Sequence, residues 1–206
     1  MSTSMPYTTA ITVTPTDVEK LRDSATGSCL VWDEATTWVA TIGRDQVATT
    51  SRMIIAGRRA LADLEEALDE QGMPVTDERL AQDLTDIAND HRTDWPGIRT
   101  MNLQVQGLRE AVIGPQAYLD CAPLLQVPAT GLPRMTDYYR RTRTGLIACV
   151  TVSFGYLEPT VITVRAPREG LRPVTEMTVE TAGALRPHKV HRLIAAAVDG
   201  ALDLDL

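Results

Sequence analysis

Between residues 46 and 70, Val47, Ile54, Leu61 and Leu68 recur every seven positions, and Leu64 falls on the same stripe three after Leu61. A seven-residue apolar repeat is the period that lets one helix lie along another at a shallow angle. The stretch therefore predicts a long helix, and the chain must adopt a fold that can hold one. Thr50 and Gly57 occupy earlier places on the stripe and let a neighbour come close. In a helix Gly57 would cost about 1 kcal/mol against alanine, which packing must offset. Arg58, Arg59, Asp63, Glu65, Glu66, Asp69 and Glu70 form the opposite, charged face. Gly72, as a left-handed residue past the helix end, and Pro74 just beyond it close the segment.

Two further helical segments follow. Thr76 is a good N-cap with Asp77 and Glu78 in the first turn, and Leu80, Leu84 and Ile87 keep the three-four spacing. Pro96, in Asp94-Trp95-Pro96, suits a first turn, and Ile98, Met101, Val105, Leu108 and Val112 alternate by three and four after it. Three helices with short connections and matching stripes predict a central antiparallel helical layer.

On either side of that layer the periodicity changes. Ala10 to Val13 alternates as a short strand. Thr16 and Glu19 make a capping box for a helix carrying Val18 and Leu21. Strands are expected at residues 29–32 and 37–42, joined by a hairpin loop. Residues 115–133 hold Pro115, Pro123, Pro128 and Pro133, but also Leu119, Leu124, Leu125 and Val127, so the connector should pack on the body. Residues 146–153 and 160–165 read as a β-hairpin and residues 174–180 as a further strand. A last helix over residues 186–201 carries Val190, Leu193, Ile194 and Val198. The expected fold class is α+β: a small β-α-β-β unit, a three-helix layer, then a β-hairpin plus strand closed by a helix. The division this suggests is residues 1–114, a packed connector at 115–133, and residues 134–206, with one domain overall as the alternative.

Composition narrows the function classes. Aromatic residues make up only 4% of the 206, with a single Phe154, so the core must be aliphatic. A net charge of −7 argues against general affinity for nucleic acid, which requires a basic surface. Only Lys20 and Lys189 are lysine. That arginine bias, with much Ala, Thr and Val, is typical of GC-rich genomes and of phages or mobile elements that share them. Cys29, Cys121 and Cys149 form no CxxC or CxxH pair and read as small buried thiols of a reducing compartment. No basic n-region and no apolar run long enough to span a bilayer is visible, so the expected location is cytoplasmic, with no membrane partner.

Few motifs carry chemistry. His188 and His191 can face one way at the start of the last helix, yet no third ligand completes a zinc pattern, so they are weak metal candidates. Asp83, Asp86 and Asp90 share a helix face that reads as solvated. Neither a nucleophile elbow nor a phosphate-binding glycine loop is present. The most suggestive stretch is 134–143, where Arg134, Tyr138, Tyr139, Arg140, Arg141 and Arg143 crowd ten residues. Arginine forks match phosphates and carboxylates, tyrosine stacks on bases, and the same mixture is common in protein interfaces. Charge is also polarised along the chain. Residues 44–94 hold six arginines against twelve acids, whereas residues 131–172 hold seven arginines against three acids.

The resulting expectation is a non-enzymatic binding or assembly protein acting through a protein–protein interface, with a second copy or another protein as partner and no cofactor. A nucleic-acid-binding regulator using the 134–143 segment is the second reading. A hydrolase or transferase around His188 and His191 is the third.

Overall fold

The computed structural model describes residues 10–126, 133–155, 158–165, 173–178, 192 and 195–200. The fold is α+β, with helices packed on two antiparallel sheets. Its first unit begins with an extended segment, not a strand. Ile11 and Val13 are buried, but their backbone groups are satisfied by side chains of a helix. The Ile11 and Val13 N–H groups donate to Asn89 Oδ1 at 3.0 Å and Thr85 Oγ1 at 2.9 Å, and Asn89 Nδ2 donates back to the Ile11 carbonyl at 2.8 Å. Alternating apolar residues thus bury one face here without a neighbouring strand.

Helix α1 (Pro15–Asp23) is capped by Thr14 with Asp17, two residues earlier than the Thr16–Glu19 box, because Pro15 fits the first helical position. Strands β1 (Cys29–Asp33), β2 (Trp38–Ile42) and β3 (Met53–Gly57) form a sheet in the order β2-β1-β3, with a short α2 (Arg44–Val47) between the last two. The expected long helix over residues 46–70 is therefore corrected. Its first part contains β3, and only Arg58–Glu70 forms a helix, α3. A five-residue apolar run buried on both faces supplies residues at any period, so Ile54 fitted a helical stripe by coincidence. Gly57 does permit close approach, but to backbone: a Cβ there would stand 2.7 Å from the Asp120 carbonyl oxygen. Gly72, at φ +66°, ends α3 as its sequence position predicts.

Helix α4 (Asp77–Val112) starts at the expected Thr76 cap, whose hydroxyl accepts from the Arg79 N–H, and runs unbroken for 36 residues. The expected break at Pro96 does not occur, so the layer has two helices, α3 and α4, instead of three. A mid-helix proline costs about 3 kcal/mol. Anchorage at both ends offsets that: Leu80, Leu84 and Ala88 lie in one core, Val105 and Leu108 in another. Each buried leucine contributes about 2 kcal/mol.

The second sheet runs β4 (Ala117–Leu119), β6 (Arg134–Arg141), β7 (Ile147–Gly155), β8 (Glu158–Arg165), β9 (Pro173–Thr178), with β5 (Leu124–Gln126) also paired to β6. Strands β4 and β5 lie end to end along one edge of β6, so the proline-rich connector packs by pairing. The hairpin β7–β8 and strand β9 fall where period-two alternation places them. Residues 195–200 are helical, and Val198 is buried with the sheet. The first sheet lies between the two cores. Leu30, Trp32, Met53 and Ile55 face α1, α3 and the start of α4, while Cys29, Val31 and Ile54 share a core with the inner face of the second sheet. Among the described residues no helix is long and apolar enough to cross a membrane.

Two electrostatic ties brace the first unit. Arg22 of α1 bonds Glu65 of α3 at 2.8 Å and Asp77 of α4 at 2.6 Å. Hydrogen bonding from Arg22 holds the Asp77 carboxyl below its ordinary range. Burial alone would raise Asp33, but the Ala35 and Thr36 N–H groups and the Arg52 guanidinium outweigh it and lower that carboxyl too. Depressed folded-state values add stability that is complete above the unfolded carboxylate range and lost as pH falls through the folded values. The urea midpoint should therefore fall below pH 4, and less so in Asp77→Asn; an identical acid limb in the variant contradicts the pairing. A second outcome concerns Thr37, a β-branched residue at φ 58° in the β1–β2 turn. Thr37→Gly should raise stability by about 1 kcal/mol by removing strain, measured as a higher urea midpoint at unchanged slope.

Candidate binding face of the second sheet

Strand alternation sorts the arginine- and tyrosine-rich segment onto two sides of β6. Met135, Asp137 and Tyr139 point inward and are buried. There Asp137 meets Arg109 of α4 through two parallel bonds, Nε to Oδ2 at 2.7 Å and Nη2 to Oδ1 at 2.8 Å. The Tyr139 hydroxyl donates to the same Oδ2 at 3.0 Å. Arg109 and Tyr139 are each 1% exposed and Asp137 5%. An unpaired charge so deep would cost several kcal/mol, and the fork-on-fork geometry with a third donor is what makes the burial tolerable. Burial alone would lower the Arg109 guanidinium, but the facing Asp137 outweighs it and raises it. Burial and the nearby Asp137 carboxylate hold the Tyr139 phenol well above its ordinary value, so it stays a neutral donor.

The other arginines of the segment have separate fates. Arg140 grips Asp120 through Nε and Nη2, and its Nη1 donates to the Gly145 carbonyl at 3.0 Å. Arg141 donates to Gln116 at 3.3 Å and lies 3.7 Å from the Asp199 carboxylate, tying the helical residues 195–200 to the sheet. Arg143 stands exposed on the β6–β7 turn. Arg134 is exposed at the start of β6, and Tyr138 is half-buried.

Arg134 and Tyr138 belong to a bowl of about 530 Å³ on the outer face of β6, β7 and β8, walled on one side by Leu124 and Gln126 of β5. The register lays its lining out in three rows. Arg134 is opposite Ser153, which is opposite Val161; Thr136, Thr151 and Thr163 follow; Tyr138, Cys149 and Arg165 complete it. The floor is hydroxyl-bearing, with Thr136 Oγ1 2.9 Å from Thr151 Oγ1. Two guanidiniums line the bowl, and no carboxylate is among the described lining residues. The volume lies within the range of small-ligand sites, and the lining offers more hydrogen-bonding groups than such sites usually carry.

Thr136, Thr151, Ser153, Thr163 and Arg165 escape a reading that looks for clusters along the chain. The period-two spacing of hydroxyls at 151 and 153 and of polar groups at 163 and 165 is the signal that would have found them. His188 and His191 lie outside the described residues. No group of three His, Cys, Asp or Glu residues suited to a metal is found among the described ones. No protein-family model, curated protein or solved structure matches the chain.

The three cysteines are free thiols. Burial pushes Cys29 and Cys121 up to about 12, and it also raises Cys149, with Arg165 partly opposing. At pH 8 a thiol with a pKa near 12 is roughly one part in ten thousand thiolate, the form that reacts. The folded protein should leave Cys29 and Cys121 nearly untouched by an aromatic disulfide reagent, and denaturation should release both. Stoichiometric labelling of Cys29 before unfolding contradicts its burial between the two sheets.

Proposed function

We propose that the protein is a non-enzymatic binding or assembly protein that meets an acidic protein partner through the outer face of β6–β8. The single observation behind this reading is the composition of the bowl: two guanidiniums, a hydroxyl floor and no described carboxylate. A second copy is the first candidate partner. Asp69 and Glu70 of α3 and Glu78, Asp86 and Asp90 of α4 are exposed acids of the kind such a bowl accepts. Contact of such acids with the bowl joins unlike surfaces, so copies would assemble head to tail into a ring or a filament. Charge complementarity of this kind sets encounter rate and specificity and weakens with salt.

Nucleic acid is less favoured as the partner. Arg140 and Arg141 are engaged by Asp120 and Asp199, which leaves Arg134, Arg143 and Arg165 to meet phosphates. That is a small electrostatic footprint.

Light scattering across protein and salt concentration tests the proposal. The expected result is a mass above that of the 22.5 kDa chain at low salt. It should fall toward the monomer with added salt and in the double variant Arg134→Glu, Arg165→Glu. A monomer at every concentration that also fails to retain an oligo-aspartate peptide contradicts it. So does tighter retention of a single-stranded oligonucleotide than of that peptide.

A further inference from the structure

We infer that the inner corner of the bowl, where Tyr138, Cys149 and Arg165 stand side by side across three strands, is an oxyanion-binding site anchored by Arg165. The inference rests on the reading of this face as the binding surface and specifies the chemical group it takes.

Two guanidiniums beneath the surface, Arg109 and Arg140, are each paired with a carboxylate. Arg109 is matched by both oxygens of Asp137, and Arg140 by both oxygens of Asp120. Arg165, half-buried on the outer face, makes no ion pair with a carboxylate among the described residues. Its Nε is buried and meets no acceptor. A buried charged donor without an acceptor is costly, and a bound anion or water satisfies it. The surroundings suit one. Arg165 lines the bowl, so the space beside it is open. Its register neighbour Cys149 is a thiol that burial keeps protonated, and the next across is the hydroxyl-bearing Tyr138. Thr163, two residues back on β8, adds a buried hydroxyl to the floor. No carboxylate is among the described lining residues, and on β9 Glu176 stands opposite Thr163 in register. A planar guanidinium edge with hydroxyl donors beside it presents the fork that carboxylates and phosphates accept in two-pronged fashion. Arg134 lies at the opposite corner, on the first row of β6, and supplies rim attraction without contributing to this anchor.

The chemistry is therefore a single oxyanion, and two sources can present it: a carboxylate of an acidic partner or a phosphate group of a small molecule. Titration calorimetry on the full chain, with inorganic phosphate and with succinate as probes, tests the site and separates the sources. Saturable uptake of at least one probe is expected. Arg165→Gln should weaken it about tenfold or more, Arg165→Lys less, and Arg134→Gln by no more than about threefold. Thermal melts confirm that each variant is folded. Should Arg165→Gln not fold, Thr163→Val, which keeps the shape and removes a floor hydroxyl, should still weaken uptake severalfold. Tighter phosphate than succinate assigns the site to phosphate esters, and the reverse assigns it to acidic side chains. No saturable uptake of either probe, or uptake unchanged in both Arg165→Gln and Thr163→Val, overturns the inference. A protein that takes up an oxyanion through Arg165 but stays monomeric and ignores oligo-aspartate keeps this site and loses the assembly reading. A protein that assembles yet takes up neither probe does the opposite.

Discussion

The pairing of Arg109 with Asp137 is the constraint on which the arrangement of the second sheet depends. Helix α4 passes through both cores, and Arg109 is the point where its C-terminal part meets β6. Hydrophobic contact is non-directional and would let the sheet slide over the helix. Two parallel charge-assisted bonds at 2.7 and 2.8 Å, with the Tyr139 hydroxyl at 3.0 Å, are directional. A slip of β6 by one residue would carry Asp137 to the outer face and strand the guanidinium in apolar surroundings. The pair thus fixes register, and register decides which side of every residue on β6, β7 and β8 faces the core. Exposed pairs such as Arg59 with Asp63, about half exposed on both partners, have no comparable leverage.

From that register the outer face follows. Once Met135, Asp137 and Tyr139 are committed inward, Arg134, Thr136 and Tyr138 must face outward, and their neighbours on β7 and β8 line up with them. The bowl is the other side of the same decision that builds the core. The chain then uses its carboxylates selectively. Asp120 and Asp199 take up Arg140 and Arg141 near the end of β6, while the described lining of the bowl receives none. Cationic character there is local, in a chain whose net charge is −7.

Much of this was legible where a single period runs unopposed. The β7–β8 hairpin, β9, the Thr76 cap and the Gly72 terminus all follow from local chemistry that the tertiary structure leaves alone. The reading failed where burial removed the periodic contrast. Met53 to Gly57 is buried on both faces, so its apolar run could be assigned to helix or strand. It failed again at Pro96, where anchorage at both ends holds α4 together across a residue that ordinarily starts or breaks a helix. For the candidate site, composition pointed to residues 134–143 but could not divide them. Only pairing shows Tyr139 in the core, Arg140 and Arg141 tied down, and Arg134 and Tyr138 in the bowl. Arg165 and the threonine row come from distant sequence and are assembled by register alone. No stretch of the chain read by itself announces them.

A double-mutant cycle on Arg109→Met and Asp137→Asn, read by urea unfolding, tests the central claim most directly. Each single change strands a buried partner and should cost about 3–5 kcal/mol. The double variant should be no worse than either, giving a coupling of at least about 2 kcal/mol. Single effects that add to within about 0.5 kcal/mol would show that the two groups act independently and that something else seats the second sheet on α4.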